Sequence, residues 1–131
     1  MFDNRKLIGS IYLSKFPYYD LNTRSGSFKS RPVLIIEVEN QFGLSDVTAL
    51  PLSRIKDESR IIKEYDVKIQ KKDYPDLKLK FDPSYIRASK IATINTKDLA
   101  KTPLVDLKKL YPSLYETVIE NVKDYVNKMT I

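Results

Sequence analysis

At 131 residues and 15.2 kDa the chain has the length of one ordinary domain, and its 42% hydrophobic and 31% charged residues exclude wholesale disorder and collagen-like or low-complexity classes. With no Cys and no His, disulfides, thiolate nucleophiles, zinc clusters and Ser-His-Asp triads are excluded, leaving carboxylates, hydroxyls, Lys, Arg and Tyr for any catalysis and an all-oxygen set for any metal. A balance of 23 Lys+Arg against 17 Asp+Glu gives +6 and a pI near 9.4, which favours polyanions or acidic proteins as partners.

Leu7 to Phe16 alternates around Ile8, Ile11, Leu13 and Phe16 and predicts a first strand, ended by Pro17. Tyr18 to Ser30, rich in Asn, Ser, Gly and basic residues, reads as a mobile loop. Arg31-Pro32 opens Val33-Leu34-Ile35-Ile36-Glu37-Val38, a β-branched run whose first part is apolar on both faces and therefore predicted to be buried. Proline is tolerated at the start of such a strand. Gln41-Phe42-Gly43 supplies a turn into a third strand, Asp46 to Leu52, closed by Ser53, so strands two and three should form a hairpin.

Arg54 to Glu64 is dominated by charge, Tyr65 to Ile69 alternates as an edge strand does, and Lys71 to Lys80 reads as a polar surface excursion. Ser84 to Ile94 resumes strand character in one run, followed by a turn or short capped helix at Asn95 to Asp98. Lys108 to Met129 has helical periodicity, with Leu114, Val118, Val122 and Tyr125/Val126 on one face, Tyr115 and Ile119 beside them, and Pro112 in the first turn. The expectation is one domain over residues 1–131, of the β-rich α+β class: a small twisted sheet or partial barrel closed by a C-terminal α-helix. No apolar run approaches the roughly 18 residues of a membrane span. Met1-Phe2-Asp3-Asn4-Arg5-Lys6 lacks the apolar stretch of a secretion signal. A cytoplasmic protein with no membrane partner is expected.

The order of signals carries more than any one of them. A Gly9-Ser10-Ile11-Tyr12-Leu13 opening strand, a Ser/Gly loop, Ser30-Arg31-Pro32-Val33-Leu34-Ile35-Ile36, then Leu50-Pro51-Leu52-Ser53 and Ile91-Ala92-Thr93-Ile94-Asn95 together resemble the MazF/PemK/Kid family of toxin–antitoxin endoribonucleases over essentially the whole chain. The resemblance implies a small SH3-like β-barrel of about five to seven strands with a C-terminal α-helix. It also implies a homodimer that cleaves single-stranded RNA at short sequences, without metal or other cofactor, and is neutralised by an antitoxin. It places Arg31 on the family's catalytic arginine, Ser53 where threonine is usual, and Arg87 on a second arginine that some members use in catalysis. Where those members carry an aspartate two positions on, this chain has Ser89.

The chemistry stands apart from the label. A 2′-OH attacking its own neighbouring phosphate is already positioned within the substrate, so the protein need supply only orientation and charge stabilisation. An arginine fork matches two phosphate oxygens and stays protonated, so Arg31 suits stabilisation and not proton removal. Ser53 can hydrogen-bond the same phosphate. The acceptor of the 2′-OH proton is left open: Asp20, Asp46 and Asp57 qualify by type alone, and water is the alternative.

Arg24, Lys29, Arg54 and Lys56 are expected to bind RNA phosphates, and Phe28 to stack a base. Tyr18 and Tyr19 read first as residues pinning the loop to the core, and Arg60 and Lys63 extend the basic run. An acidic antitoxin segment suits the same basic groove. Two rivals remain. One is a non-catalytic RNA- or protein-binding module of the same fold, motivated by Ser89 and the missing base. The other, a gyrase-poisoning toxin of the CcdB kind, ranks lower, because the tail Met129-Thr130-Ile131 lacks the Trp-Gly-Ile that kind uses.

Overall fold

The computed structural model describes residues 1–20, 22–55 and 57–129, with the backbone alone for 16–20, 27 and 28. Among these residues, seven strands form one curled antiparallel sheet, a half-barrel closed by a C-terminal helix. They are β1 (Ser10–Asp20), β2 (Ser25–Val38), β3 (Asp46–Ser53), β4 (Val67–Ile69), β5 (Ser84–Ile86), β6 (Ala92–Asn95) and β7 (Val105–Asp106). Their order is β4-β5-β3-β2-β1-β7, with β6 also paired to β3. Helices α1 (Leu107–Leu110) and α2 (Pro112–Met129) follow. The β-rich α+β expectation holds.

The apolar run of β2 explains how both faces of this sheet are covered. Val33, Leu34 and Ile35 are all fully buried, and alternation sends Leu34 into one core with Ile11, Leu50 and Val118. Val33 and Ile35 go into a second core with Leu7, Tyr12, Val47 and Ile94. Each such side chain stabilises the fold by roughly 1.5–3 kcal/mol. α2 covers the first face with Leu114, Tyr115 and Val118; towards its C-terminal end its stripe leaves the core, and Val126 is exposed. Gly9 ties the sheet to α1. Its N–H donates to Ile35 O at 2.7 Å and its carbonyl accepts from Lys108 N at 3.0 Å. It sits at φ +92°, where a Cβ would lie 2.6 Å from Lys108 Cβ, so only glycine fits.

Five expectations are corrected. Pro17 does not end β1, and Tyr18 to Ser30 is not a loop: β1 runs to Asp20 and β2 begins at Ser25, paired from Pro17↔Phe28 to Asp20↔Ser25. The pairing there is a backbone ladder, and the sequence of the arm shows no apolar alternation to announce it. Pro32 is inside β2 and not at its start, opposite Leu13 of β1; it lies beyond the last β2–β3 pair, Val33↔Pro51, where a missing N–H costs no ladder bond. Ser84 to Ile94 is two strands, β5 and β6, separated by a buried turn. The predicted helix from Lys108 is divided at Tyr111 (φ −136°, ψ 70°), because a residue before proline avoids the helical region; Pro112 starts α2. Asp106 caps α1 by accepting from Lys109 N at 3.0 Å.

Candidate active site

β3 changes partner along its length. Asp46 to Ala49 pair with β6, whereas Leu52 and Ser53 pair with β5. On its other side the pairing with β2 ends at Val33↔Pro51. Beyond that point a cleft of about 500 Å³ opens. β1 contributes Ile11 and Leu13, β2 contributes Lys29 to Pro32, and β3 with its continuation contributes Leu52, Ser53 and Arg54; residues 77–81 form much of the rest.

Arg31 and Ser53 thus reach one cleft from neighbouring strands. Arg31 is half-buried, and burial, reinforced by the charge of Arg87, pushes its pKa below the ordinary arginine range. Lys29, two residues earlier and so on the same face of β2, is lowered by burial and then by Arg31. Cations that raise one another's cost in a partly desolvated cleft favour an anion placed among them. Lys29, Arg31, Arg54, Lys78 and Lys80 all line the cleft, and no carboxylate does among the described residues.

Arg87 follows β5 instead of lying on it. Its N–H donates to Pro51 O at 3.0 Å; the residue is 6% exposed and does not line the cleft, yet its charge reaches Arg31. The carboxylate of Asp66 accepts from Arg87 Nε at 2.8 Å, Ser89 N at 3.1 Å, Ser89 Oγ at 2.7 Å and Ile62 N at 3.1 Å. Arg87 Nη2 donates to Arg60 O at 3.1 Å. Burial pushes the Asp66 carboxyl up, but the hydrogen bonds from Ser89, Ile62 and Arg87 outweigh it and hold it below the usual carboxylate range. So satisfied a carboxylate is a lock on Arg87 and a poor base. Ser89, at the position where some members of the family that the sequence resembles carry an aspartate, serves that lock as a donor.

The other expected residues divide. Arg54 lines the cleft, its guanidinium 4.9 Å from the Phe81 ring centroid. Arg24 is exposed at the tip of the β1–β2 arm with φ 55°, away from the cleft lining. Arg60 and Lys63 are exposed and do not line it either. Asp57 caps a one-turn helix at Glu58–Arg60 through Ser59 N at 3.0 Å, and Asp46 accepts from Asn95 Nδ2 at 3.2 Å; neither faces the cleft. Lys56 lies outside the described residues, as do the side chains of Phe28, Tyr18, Tyr19 and Asp20.

Sequence reasoning missed Asp66, Lys78, Lys80 and Phe81. For the last three a signal existed: Leu77, Leu79 and Phe81 alternate with Lys78 and Lys80 across the end of the stretch read as a surface excursion, Lys71 to Lys80. Asp66 carried none, since its alternation with Tyr65 and Val67 points it to solvent.

A family model described as a PemK-like, MazF-like toxin of type II toxin–antitoxin systems matches residues 8–129. The chain belongs to this family. Comparison with curated proteins gave no match. In this PemK-like toxin the matched span contains the whole sheet, both helices and the cleft between β2 and β3. Toxins of the family are generally RNA-cleaving and paired with an antitoxin. Among the described residues no helix is long and apolar enough to cross a membrane, and no group of three or more Asp or Glu is placed to hold a metal ion.

Proposed function

We propose that this toxin is a sequence-specific, metal-independent endoribonuclease that cuts single-stranded RNA by internal attack of a 2′-OH, leaving a 2′,3′-cyclic phosphate and a 5′-OH. The observation that carries the reading is the meeting of Arg31 and Ser53 in one cleft with Lys29, Arg54, Lys78 and Lys80. Arg31 forks onto the non-bridging oxygens as charge builds on the phosphate, and Ser53 donates a hydrogen bond to the same group. Arg87, held from behind by Asp66, adds positive charge without touching the substrate. The leaving 5′-oxygen needs a proton. Arginine does not release one near neutrality, so we assign that donation to the Lys29 ammonium of the same cleft, while the 2′-OH proton passes to water.

The working unit is a homodimer acting in the cytoplasm, and its acidic antitoxin inserts a segment that competes with RNA for this cleft. The non-catalytic rival draws on Ser89 and the unassigned base; incubating RNA with pure protein separates the two.

Ser53 offers a direct check. It sits on β3 opposite Tyr85 of β5, where a β-branched residue suits the strand. Ser53→Thr keeps the donor and restricts χ1, so single-turnover cleavage should match or exceed the parent, while Ser53→Ala should be clearly slower with an unchanged melt. Normal cleavage by Ser53→Ala would make Ser53 a strand residue only. Salt provides a second check. If the basic residues neutralise about three or four phosphates, log affinity for single-stranded RNA should fall against log salt with a slope of roughly −2 to −3. Lys29→Ala or Arg24→Ala should flatten it, and a salt-independent affinity would assign the basic surface to solubility.

A further inference from the structure

We infer that Phe81, flanked by Arg54 and Lys80, is a stacking platform for one unpaired nucleobase beside the phosphate that Arg31 holds. The inference rests on the RNA-binding part of the function proposed above and adds a base subsite to it. Phe81 is 40% exposed, and an isolated exposed ring needs no explanation. This one forms part of a concave cleft together with Arg31 and Ser53. The Arg54 guanidinium lies 4.9 Å and the Lys80 ammonium 5.5 Å from its centroid, both within the roughly 6 Å reach of cation–π attraction. Ring and cations thus form one group within the cleft lining.

A nucleotide brings two surfaces, a charged phosphate and a flat apolar base. The cleft answers both, with its cations and with Leu13, Leu79 and Phe81. Its volume of about 500 Å³ lies within the roughly 300–1,000 Å³ of sites that enclose small ligands. An acidic peptide would satisfy the cations, but its carboxylates present no π-face to the ring. Because every base has such a face, the platform should set affinity and the path of the strand more than sequence choice.

The test is binding of short 2′-O-methyl RNA, which cannot cleave itself, by the parent, Phe81→Leu and Phe81→Trp. A parallel series replaces one base at a time by an abasic sugar. Phe81→Leu should weaken binding about 10–100-fold, the range of one stacked base, and Phe81→Trp should stay near the parent. Removing the base at one position should weaken the parent by a similar factor and leave Phe81→Leu no worse. Equal losses for Phe81→Leu on intact and abasic strands at every position, or no loss at all, would overturn the platform. So would loss of binding to a glutamate-rich peptide with RNA binding unchanged. Because the readout is binding, coupling between Phe81 and one base would stand even if the parent cut no RNA. Cleavage without coupling would remove only the platform.

Discussion

Arg31→Ala is expected to cut RNA at least about 10²–10³-fold more slowly than the parent in single turnover, the usual cost of removing a charge-stabilising donor from a preorganised site. Arg31→Lys should be badly impaired as well, because it keeps the charge but loses the planar fork. Neither change should move the melting temperature much. Arg31 is half-buried at the mouth of the cleft, whereas the β2 residues that support the cores, Val33 to Ile35, are untouched. Removing it also relieves repulsion with Lys29 and Arg87. Activity lost with the fold intact is the signature of a site residue; normal cleavage by folded Arg31→Ala would mean that the chemistry is elsewhere.

Asp66 should behave in the opposite way, with a large effect on stability. Asp66→Ala leaves the Arg87 guanidinium buried without its counter-charge and frees the donors of Ser89 and Ile62. Breaking a buried pair from one side costs about 3–5 kcal/mol, on the order of 10–20 °C in Tm for a chain of this length. Asp66→Ala/Arg87→Met should recover much of that loss, since it removes the stranded charge, while cleavage stays low because the positive charge that Arg87 adds near Arg31 is gone. Acid tests the same lock. The folded-state pKa of Asp66 is depressed, so its stabilisation is complete above the unfolded value near 4 and is lost as pH falls through the folded value. Asp66→Ala should show a flatter melt-versus-pH profile in acid than the parent. A melt for Asp66→Ala equal to the parent's at neutral pH would show that the network carries no stability.

The sequence was most informative where burial imposes a pattern. The doubly apolar start of β2, the β2–β3 hairpin and the face of α2 all follow from side chains that must leave water. It was least informative in the β1–β2 arm, where strand pairing continues through Pro17 with no apolar alternation in the sequence. The break between β5 and β6 was hidden for another reason. Arg87 and Ser89 are there to serve Asp66, which lies 21 residues from Arg87 along the chain, and no local periodicity reports a partner that distant. Arg31 and Ser53 were recognisable through the resemblance, and their strands place them in one cleft. Phe81 was overlooked because it lies just past Lys80, where the segment that Lys78 and Lys80 made look polar ends, and before the next strand signal.

The most direct test of the central claim is the chemistry of the cut ends. RNA incubated with the parent protein in excess EDTA should yield fragments with a 2′,3′-cyclic phosphate on one side and a 5′-OH on the other, and Arg31→Ala should yield essentially none. Fragments with 5′-phosphates, strict dependence on magnesium, or undiminished cutting by Arg31→Ala would contradict internal attack in the Arg31–Ser53 cleft.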